Sequence, residues 1–302
     1  MSAASASPSL PPSSASFAVV DDVSLISQLQ ASAERFETPC GDGSLVWHAW
    51  GPKNTELPPL VLLHGGSGSW THWVRNIIPL VQTGRRVWVP DLPGFGDSAL
   101  PPEGRDADAL VAPLATGLQQ LLGAVPCDLV GFSFGGMTAG LLAAAHPQLL
   151  RQLVIAGAPG LGVASRRTVQ LRGWRHLNDP AEVEAMHRYN LLALMLHKPD
   201  ALTPLALAVH AGNVGRDRMP GRRLAYTEAL KLALMQIQQP VTAIYGLHDA
   251  LYEGKLDALE EALSVAPNFR GLQFINGAGH WLQFEQPERF DAALLRLLDR
   301  EL

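Results

Sequence analysis

Short apolar runs alternate along the chain with longer stretches whose apolar positions recur every three or four residues. Leu60-Val-Leu-Leu63, Arg86-Val-Trp-Val89, Leu129-Val130, Gln152-Leu-Val-Ile-Ala156, Val241-Thr-Ala-Ile-Tyr245 and Leu272-Gln-Phe-Ile275 are such runs. A parallel strand covered on both faces reads as a continuous apolar run, so these segments predict strands separated by helices. Between two of them, Asp108 to Leu122 places Leu110, Leu114, Leu118, Leu121 and Leu122 on one helical stripe, and Met137 to Ala145 supplies small residues for close packing on a sheet. Upstream, Phe36-Glu-Thr38 and Ser44 to Trp50 predict two strands joined through the turn-rich Cys40-Gly-Asp-Gly43, an antiparallel edge. The expected fold class is α/β, a mostly parallel central sheet with helices on both faces.

After Ala156 the pattern changes. Leu161 to Gln238 carries helical spacing and no clear strand, with helices expected at Pro180–Leu196, Pro199–Asn213 and Arg222–Gln238. This predicts a core of residues 34–160 and 239–302, an inserted helical lid of 161–238 that roofs the site, and a disordered or weakly ordered tail of 1–33. Met1 to Ser16 is almost wholly Ser, Ala and Pro, and no Lys or Arg precedes Arg35, so neither a secretory n-region nor an Arg-rich transit peptide is indicated. No apolar run approaches the roughly 20 residues of a membrane span. A cytoplasmic protein without stable membrane insertion is the expectation.

Composition narrows the partners. The 302 residues are 47% hydrophobic and 17% charged, which suits a large core with a broad apolar pocket, and leaves homo-oligomerisation open. A net charge of −5 without a basic stripe argues against nucleic acid. Cys40 and Cys127 belong to no Cys-x-x-Cys pair, and Cys127, at the head of an apolar strand, reads as a core thiol. The ten histidines include no His-Glu-x-x-His and no His/Cys cluster, so no metal is expected. Gly94-Phe-Gly-Asp-Ser-Ala99 lacks the context of a dinucleotide loop and Gly65-Gly-Ser-Gly68 lacks a Walker lysine, so no cofactor is expected either.

The chemistry centres on Ser133, in Val130-Gly-Phe-Ser-Phe-Gly-Gly136 between an apolar strand and a small-residue helix. A serine at such a sharp turn is strained and pushed clear of the sheet, so its neighbours two before and two after must be small; Gly131 and Gly135 are. Asp249 follows the strand ending at Tyr245, and His280 follows the strand ending at Ile275. A serine hydroxyl needs a base to take its proton, and an imidazole base needs a carboxylate to fix its tautomer. His280 and Asp249 fit those roles, with Asp257 a rival set back in the next helix; His248 is expected to face elsewhere.

The order Ser, Asp, His, each just past a strand, together with His64-Gly-Gly-Ser-Gly68, Asp91-Leu-Pro-Gly-Phe-Gly-Asp-Ser98, Gly246-Leu-His-Asp249 and Gly279-His280, resembles the α/β-hydrolase family from about Glu34 onward. The resemblance implies the α/β-hydrolase fold, an oxyanion hole built from the backbone N–H groups of Gly66 and Phe134, and a loop-shaping role for His64. Gly65 lets the backbone approach the substrate. Within the superfamily, Gly279-His280-Trp281 with Gly68-Ser-Trp70 resembles hydrolases that cleave carbon–carbon bonds of aromatic ring-fission products, which implies that Trp281 lines the acid pocket. That subfamily carries asparagine where this chain has Phe132 and His72. Phe132 makes the turn apolar and resembles esterase and perhydrolase-like relatives. The first expectation is therefore a carboxylic ester hydrolase for small to medium apolar acids, with a small apolar ester or ketone as substrate. Carbon–carbon hydrolysis is the alternative, and a non-catalytic ligand receptor or scaffold is an alternative of another class. The arginines at 166, 167, 172 and 175 and at 216, 218, 222 and 223 read as solvated lid surface, with a clamp on a substrate carboxylate as the minority reading.

Overall fold

The computed structural model describes residues 23–164 and 169–299; Met1 to Ser16, Arg166 and Arg167 lie outside the described residues. Eight strands form one sheet: β1 (Glu34–Cys40), β2 (Gly43–Trp50), β3 (Leu60–Leu63), β4 (Val87–Pro90), β5 (Cys127–Phe132), β6 (Leu150–Ala156), β7 (Val241–Gly246) and β8 (Phe269–Ile275). Their order is β1-β2-β4-β3-β5-β6-β7-β8. The β1–β2 and β2–β4 pairs are antiparallel and the rest parallel, so the hairpin does form the edge. Every residue of β3, β4, β5 and β7 is buried. That is the structural counterpart of the apolar runs, and each fully buried Leu, Ile or Val contributes about 1.5–3 kcal/mol.

Helices cover both faces: α1 (Ser24–Ser32), α2 (Ile77–Gln82), α3 (Val111–Leu122), α4 (Phe134–Ala145), α5 (Pro180–Asn190), α6 (Pro204–Val214), α7 (Ala229–Leu234), α8 (Leu256–Leu263), α9 (Leu282–Glu285) and α10 (Pro287–Leu298). The apolar residues divide into one cluster on each side of the sheet. The expected tail needs correction at its end, because Ser24–Ser32 is helical. Leu29 is buried there and its carbonyl accepts the Trp50 Nε1–H at 2.9 Å, which docks α1 on the hairpin. No helix among the described residues is long and apolar enough to cross a membrane.

Between β6 and β7 the described residues are helical, but the helices are shorter than the pattern predicts. Asp179 caps α5 and Pro180 occupies its first turn; the helix then widens into a π turn at Leu191–Met195. Pro199–Ala201 is a separate 3-10 turn, and α6 starts afresh at Pro204 because Thr203 accepts the Ala206 N–H. Extended backbone at Thr227 separates the short turn Leu224–Tyr226 from α7.

Candidate active site

Ser133 joins β5 to α4 at φ 52° and ψ −120°, a region that non-glycine residues occupy at a cost of about 1–3 kcal/mol. Its surroundings hold it there: the Ser133 N–H donates to Ala156 O at 2.8 Å, and Gly136 and Met137 N–H donate to its carbonyl. The flanking glycines are a steric requirement. A Cβ on Gly131 would stand 2.4 Å from Gly135 O, and one on Gly135 would stand 2.3 Å from His64 O.

The ends of β7 and β8 bring the other two groups to this turn. Asp249 Oδ2 lies 2.8 Å from His280 Nδ1, and His280 Nε2 lies 2.8 Å from Ser133 Oγ. Asp249 and His280 are 1% and 2% exposed. The second oxygen of Asp249 accepts the Leu251 N–H, so its carboxylate cannot swing away from the imidazole. Such a relay can accept the serine proton at Nε2 and stabilise the resulting imidazolium through Nδ1–H. Asp257 is exposed on the first turn of α8 and takes no part. His248 is exposed and stacks on His197 with centroids 3.8 Å apart.

The loop after β3 packs on the elbow. A Cβ on Gly65 would stand 2.9 Å from the Phe132 ring and 3.2 Å from Ser133 Cβ; one on Gly66 would stand 3.5 Å from Phe134 Cβ. Phe134 N–H is a first-turn amide that its helix leaves without an internal acceptor, and Gly66 N–H donates to no backbone acceptor among the described residues. His64 shapes this loop: its Nε2 accepts the Leu92 N–H at 2.8 Å, which leaves Nδ1–H to donate to Gly65 O at 2.8 Å. Burial lowers its pKa to about 4 and keeps it neutral. His72 Nδ1 accepts the Gly65 N–H from the other side, and burial holds its pKa well below the ordinary value.

A cavity of about 740 Å³ opens over Ser133 and His280, with Gly65, Gly66, Phe132 and Phe134 at its floor and Leu194, Met195 and Arg222 from the insertion in its walls. A second chamber of about 540 Å³ shares Gly66, Ser67, Leu171, Arg175, Leu194, Met195 and Asp217 with it, and adds His72, Arg172, Trp174 and His210. Arg172 stacks over Tyr189 and Arg175 over Trp174, and neither pairs with a carboxylate among the described residues. No group of three or more His, Cys, Asp or Glu suited to a metal occurs among the described residues. Both cysteines are buried free thiols, and burial raises Cys127 to about 12.

Trp281 requires a correction. It is wholly buried and lines neither chamber. Its N–H donates to Met195 O at 2.7 Å, its indole Nε1–H donates to His72 O at 3.1 Å, and its ring stacks on Phe284 at 4.1 Å. These bonds turn the ring into the core behind the histidine loop. Sequence reasoning missed Glu285, whose carboxylate accepts the N–H groups of Gly279, His197 and Lys198 and thereby ties the His280 loop to the end of the π turn. It also missed the contact of Asp217 with Ser67, two positions 150 residues apart that no local spacing links.

Comparison with known proteins agrees with this architecture. A family model described as alpha/beta hydrolase fold matches residues 58–198. The 2-hydroxymuconate semialdehyde hydrolase of Pseudomonas sp. (strain CF600) is 38% identical over 246 residues, which cover 77% of this chain and 83% of that protein. The chain belongs to the α/β-hydrolase family. It is accordingly an enzyme, a hydrolase. Another relative, the 2-hydroxy-6-oxo-6-phenylhexa-2,4-dienoate hydrolase of Comamonas testosteroni, is 27% identical over 79% of this chain and 87% of its own length. Among solved structures, carboxylesterase CesB from Bacillus subtilis superposes with a TM-score of 0.74 at 22% identity, covering 92% of this chain and 95% of that one. Esterase RhEst1 from Rhodococcus sp. ECU1013 gives 0.70 at 24%, covering 87% and 98%. The two structural matches establish the fold.

Proposed function

We propose that this hydrolase works through an acyl-enzyme on Ser133. The observation that carries the proposal is the unbroken line Asp249–His280–Ser133, both links 2.8 Å, ending in a cavity. His280 Nε2 takes the Ser133 proton as Oγ attacks the substrate carbonyl; the N–H groups of Gly66 and Phe134 stabilise the oxyanion. The protonated His280 then donates to the leaving group, and a water activated at Nε2 releases the acid. The residues at 161–238 act as the lid that closes the cavity over this reaction.

A carboxylic ester of a small to medium apolar acid is the substrate class that fits first, because the accessible side chains of Leu171, Leu194, Met195, Ala225 and Leu251 line the cavity over Ser133 and offer an acyl chain apolar contact and no hydrogen bond. The second reading is carbon–carbon hydrolysis of a vinylogous diketone. It is favoured by the 38% identity to the semialdehyde hydrolase and by Arg172 and Arg175 in the second chamber, which suit a substrate bearing a carboxylate.

The test is hydrolysis of p-nitrophenyl esters from acetate to decanoate beside a vinylogous diketone ring-fission product, with the wild type and Ser133→Ala. Serine-dependent ester turnover with a chain-length optimum supports the first reading. Rapid loss of the coloured dienol with negligible ester turnover selects the second. Full turnover by Ser133→Ala on either class sinks the acyl-enzyme mechanism.

A further inference from the structure

Two non-glycine residues among those described have a left-handed backbone: Ser133, at φ 52°, and Ser67, at φ 51°. The first is held by the sheet. Ser67 lies beside Gly66 in the loop after β3, and its side chain is held by the insertion: Oγ–H donates to Asp217 Oδ2 at 2.5 Å and Oγ accepts from Arg222 Nη2 at 3.2 Å. Asp217 and Arg222 form an ion pair in the turn that follows α6, with Arg222 Nη1 3.1 and 3.0 Å from the two carboxylate oxygens; the Met219 N–H also donates to Oδ1. The Arg222 guanidinium lies 5.4 Å from the Phe134 ring centre and 5.2 Å from that of Phe95, and a Cβ on Gly66 would meet its Nη2 at 3.5 Å. One ion pair of the insertion thus reaches side chains in both segments assigned to the oxyanion hole, the Ser67 hydroxyl and the Phe134 ring.

We propose that Asp217 and Arg222 are positioning residues that hold Ser67 in its left-handed conformation and so aim the Gly66 N–H at the developing oxyanion. The proposal rests on the acyl-enzyme reading of the site. Serine gains nothing intrinsically from a left-handed backbone, so in the absence of its two partners the loop relaxes and Gly66 turns with it. Oxyanion donors act only when preorganised, so the loss appears in the chemical step and not in substrate binding. The arrangement also makes assembly of the hole conditional on the insertion being seated on the core, since both charged residues belong to the insertion and the loop belongs to the sheet.

The test compares Asp217→Asn, Arg222→Met, Arg222→Lys and Ser67→Gly, with Ser67→Gly also combined with Asp217→Asn, in the full chain on p-nitrophenyl butyrate. Asp217→Asn and Arg222→Met are expected to lower kcat by about 10- to 100-fold with KM within about twofold, part of the full effect of an oxyanion donor. Arg222→Lys recovers part of the loss. Ser67→Gly recovers kcat in the Asp217→Asn background, because glycine occupies a positive φ without a tether. That recovery also separates positioning from misfolding. Unchanged kcat in Asp217→Asn and Arg222→Met, a loss confined to KM, or a kcat loss that Ser67→Gly leaves in place overturns the proposal. Ser133 labelling by a fluorophosphonate, run on the same samples, keeps the two readings apart. A wild type that is not labelled fails the acyl-enzyme reading itself, whereas a labelled wild type with an indifferent Asp217→Asn fails only the positioning role.

Discussion

The sheet and the insertion meet at Ser133 and contribute differently to it. Ser133 follows directly on the wholly buried β5, Asp249 lies just past the wholly buried β7, and His280 lies in the loop after the half-buried β8; there the ladder fixes the backbone and neighbouring atoms leave no room for a Cβ on Gly131, Gly135 or Gly246. The insertion meets the same cavity from short helices, turns and a π turn, with the half-buried Leu194, Met195 and Arg222 and the exposed Arg175. A geometry that must hold to fractions of an ångström is carried by the rigid layer, and the shape and charge of the space above it by the layer that can vary without unfolding the protein. The comparison predicts large effects on turnover from the strand ends and selective effects from the insertion.

The largest effect falls on Ser133→Ala, expected to lower kcat by about 10⁴-fold or more while thermal stability stays within about 1 kcal/mol or rises, because the strained turn loses only a hydroxyl. Steady-state kinetics and a melt on the same sample measure both. Next comes the seam between the two layers. Leu230 of α7 is wholly buried, with its Cδ1 2.2 Å from where a Gly140 Cβ would stand, whereas Leu232 one turn-face away is 57% exposed. Leu230→Ala should cost about 2–5 kcal/mol and Leu232→Ala less than about 0.5 kcal/mol in denaturant unfolding. Similar costs for the two would show that the insertion is not fixed to the core by this face.

Much of this was legible from the chain. That Ser133, Asp249 and His280 come together, and that Gly131 and Gly135 flank the turn, could be read because each lies at or just past the end of an apolar run, which leaves a strong local signature. The hairpin edge was readable from the turn-rich Cys40-Gly-Asp-Gly43 that joins its two strands, of which β1 alternates between exposed and buried positions along most of its length. Trp281 was not, because an aromatic after the histidine fits a pocket wall and a core equally well, and the choice is made by bonds to Met195 and His72 that lie far away in sequence. The insertion helices were placed but drawn too long, since apolar spacing continues across Pro204 and Thr227 where capping and extended backbone stop the helix. Helix α1 was hidden by a polar, low-complexity approach and is anchored by one leucine and one tryptophan bond. The Ser67–Asp217–Arg222 contact joins the two layers and has no local signal at all.

Stability against pH offers a smaller test within the rigid layer. Asp291 of α10 is 5% exposed, and burial raises its pKa to about 8; Asn76 Nδ2 donates to it at 2.9 Å. A carboxyl raised in the fold stabilises below its unfolded pKa, near 4, and loses that contribution as pH rises towards 8. His64 and His210 are lowered to about 4, and His48 is also lowered, all by burial first. Their contribution is present above about pH 6.5 and is lost as pH falls, so the two groups oppose each other only on the acid side. Between about pH 6.5 and 8 Asp291 acts alone among them, and unfolding free energy should drop by about 2 kcal/mol, or about 1.4 kcal/mol per pH unit. Asp291→Asn should flatten that slope in urea titrations at three pH values. A slope that survives the substitution assigns it elsewhere.

The smallest effect sharpens the comparison most, because it asks the insertion to change selectivity and nothing else. Arg175 lines both chambers, stacks on Trp174 at 4.9 Å and gives one N–H to Val214 O, which leaves its charge without a carboxylate among the described residues. Replacing it by methionine keeps length and apolar contact but removes the charge. For an ester carrying a distal carboxylate, such as a p-nitrophenyl hemisuccinate, KM should rise about tenfold, the loss of one partly solvated charge-assisted bond of about 1.4 kcal/mol. For p-nitrophenyl butyrate KM and kcat should move by less than about twofold, since nothing in that substrate reaches the guanidinium's charge. The salt dependence should separate in the same way, because screening weakens only the charged interaction. Equal losses on both substrates would mean that Arg175 supports the fold of the insertion instead of reading the substrate. The division between a layer that reacts and a layer that selects would then fail at its most exposed point.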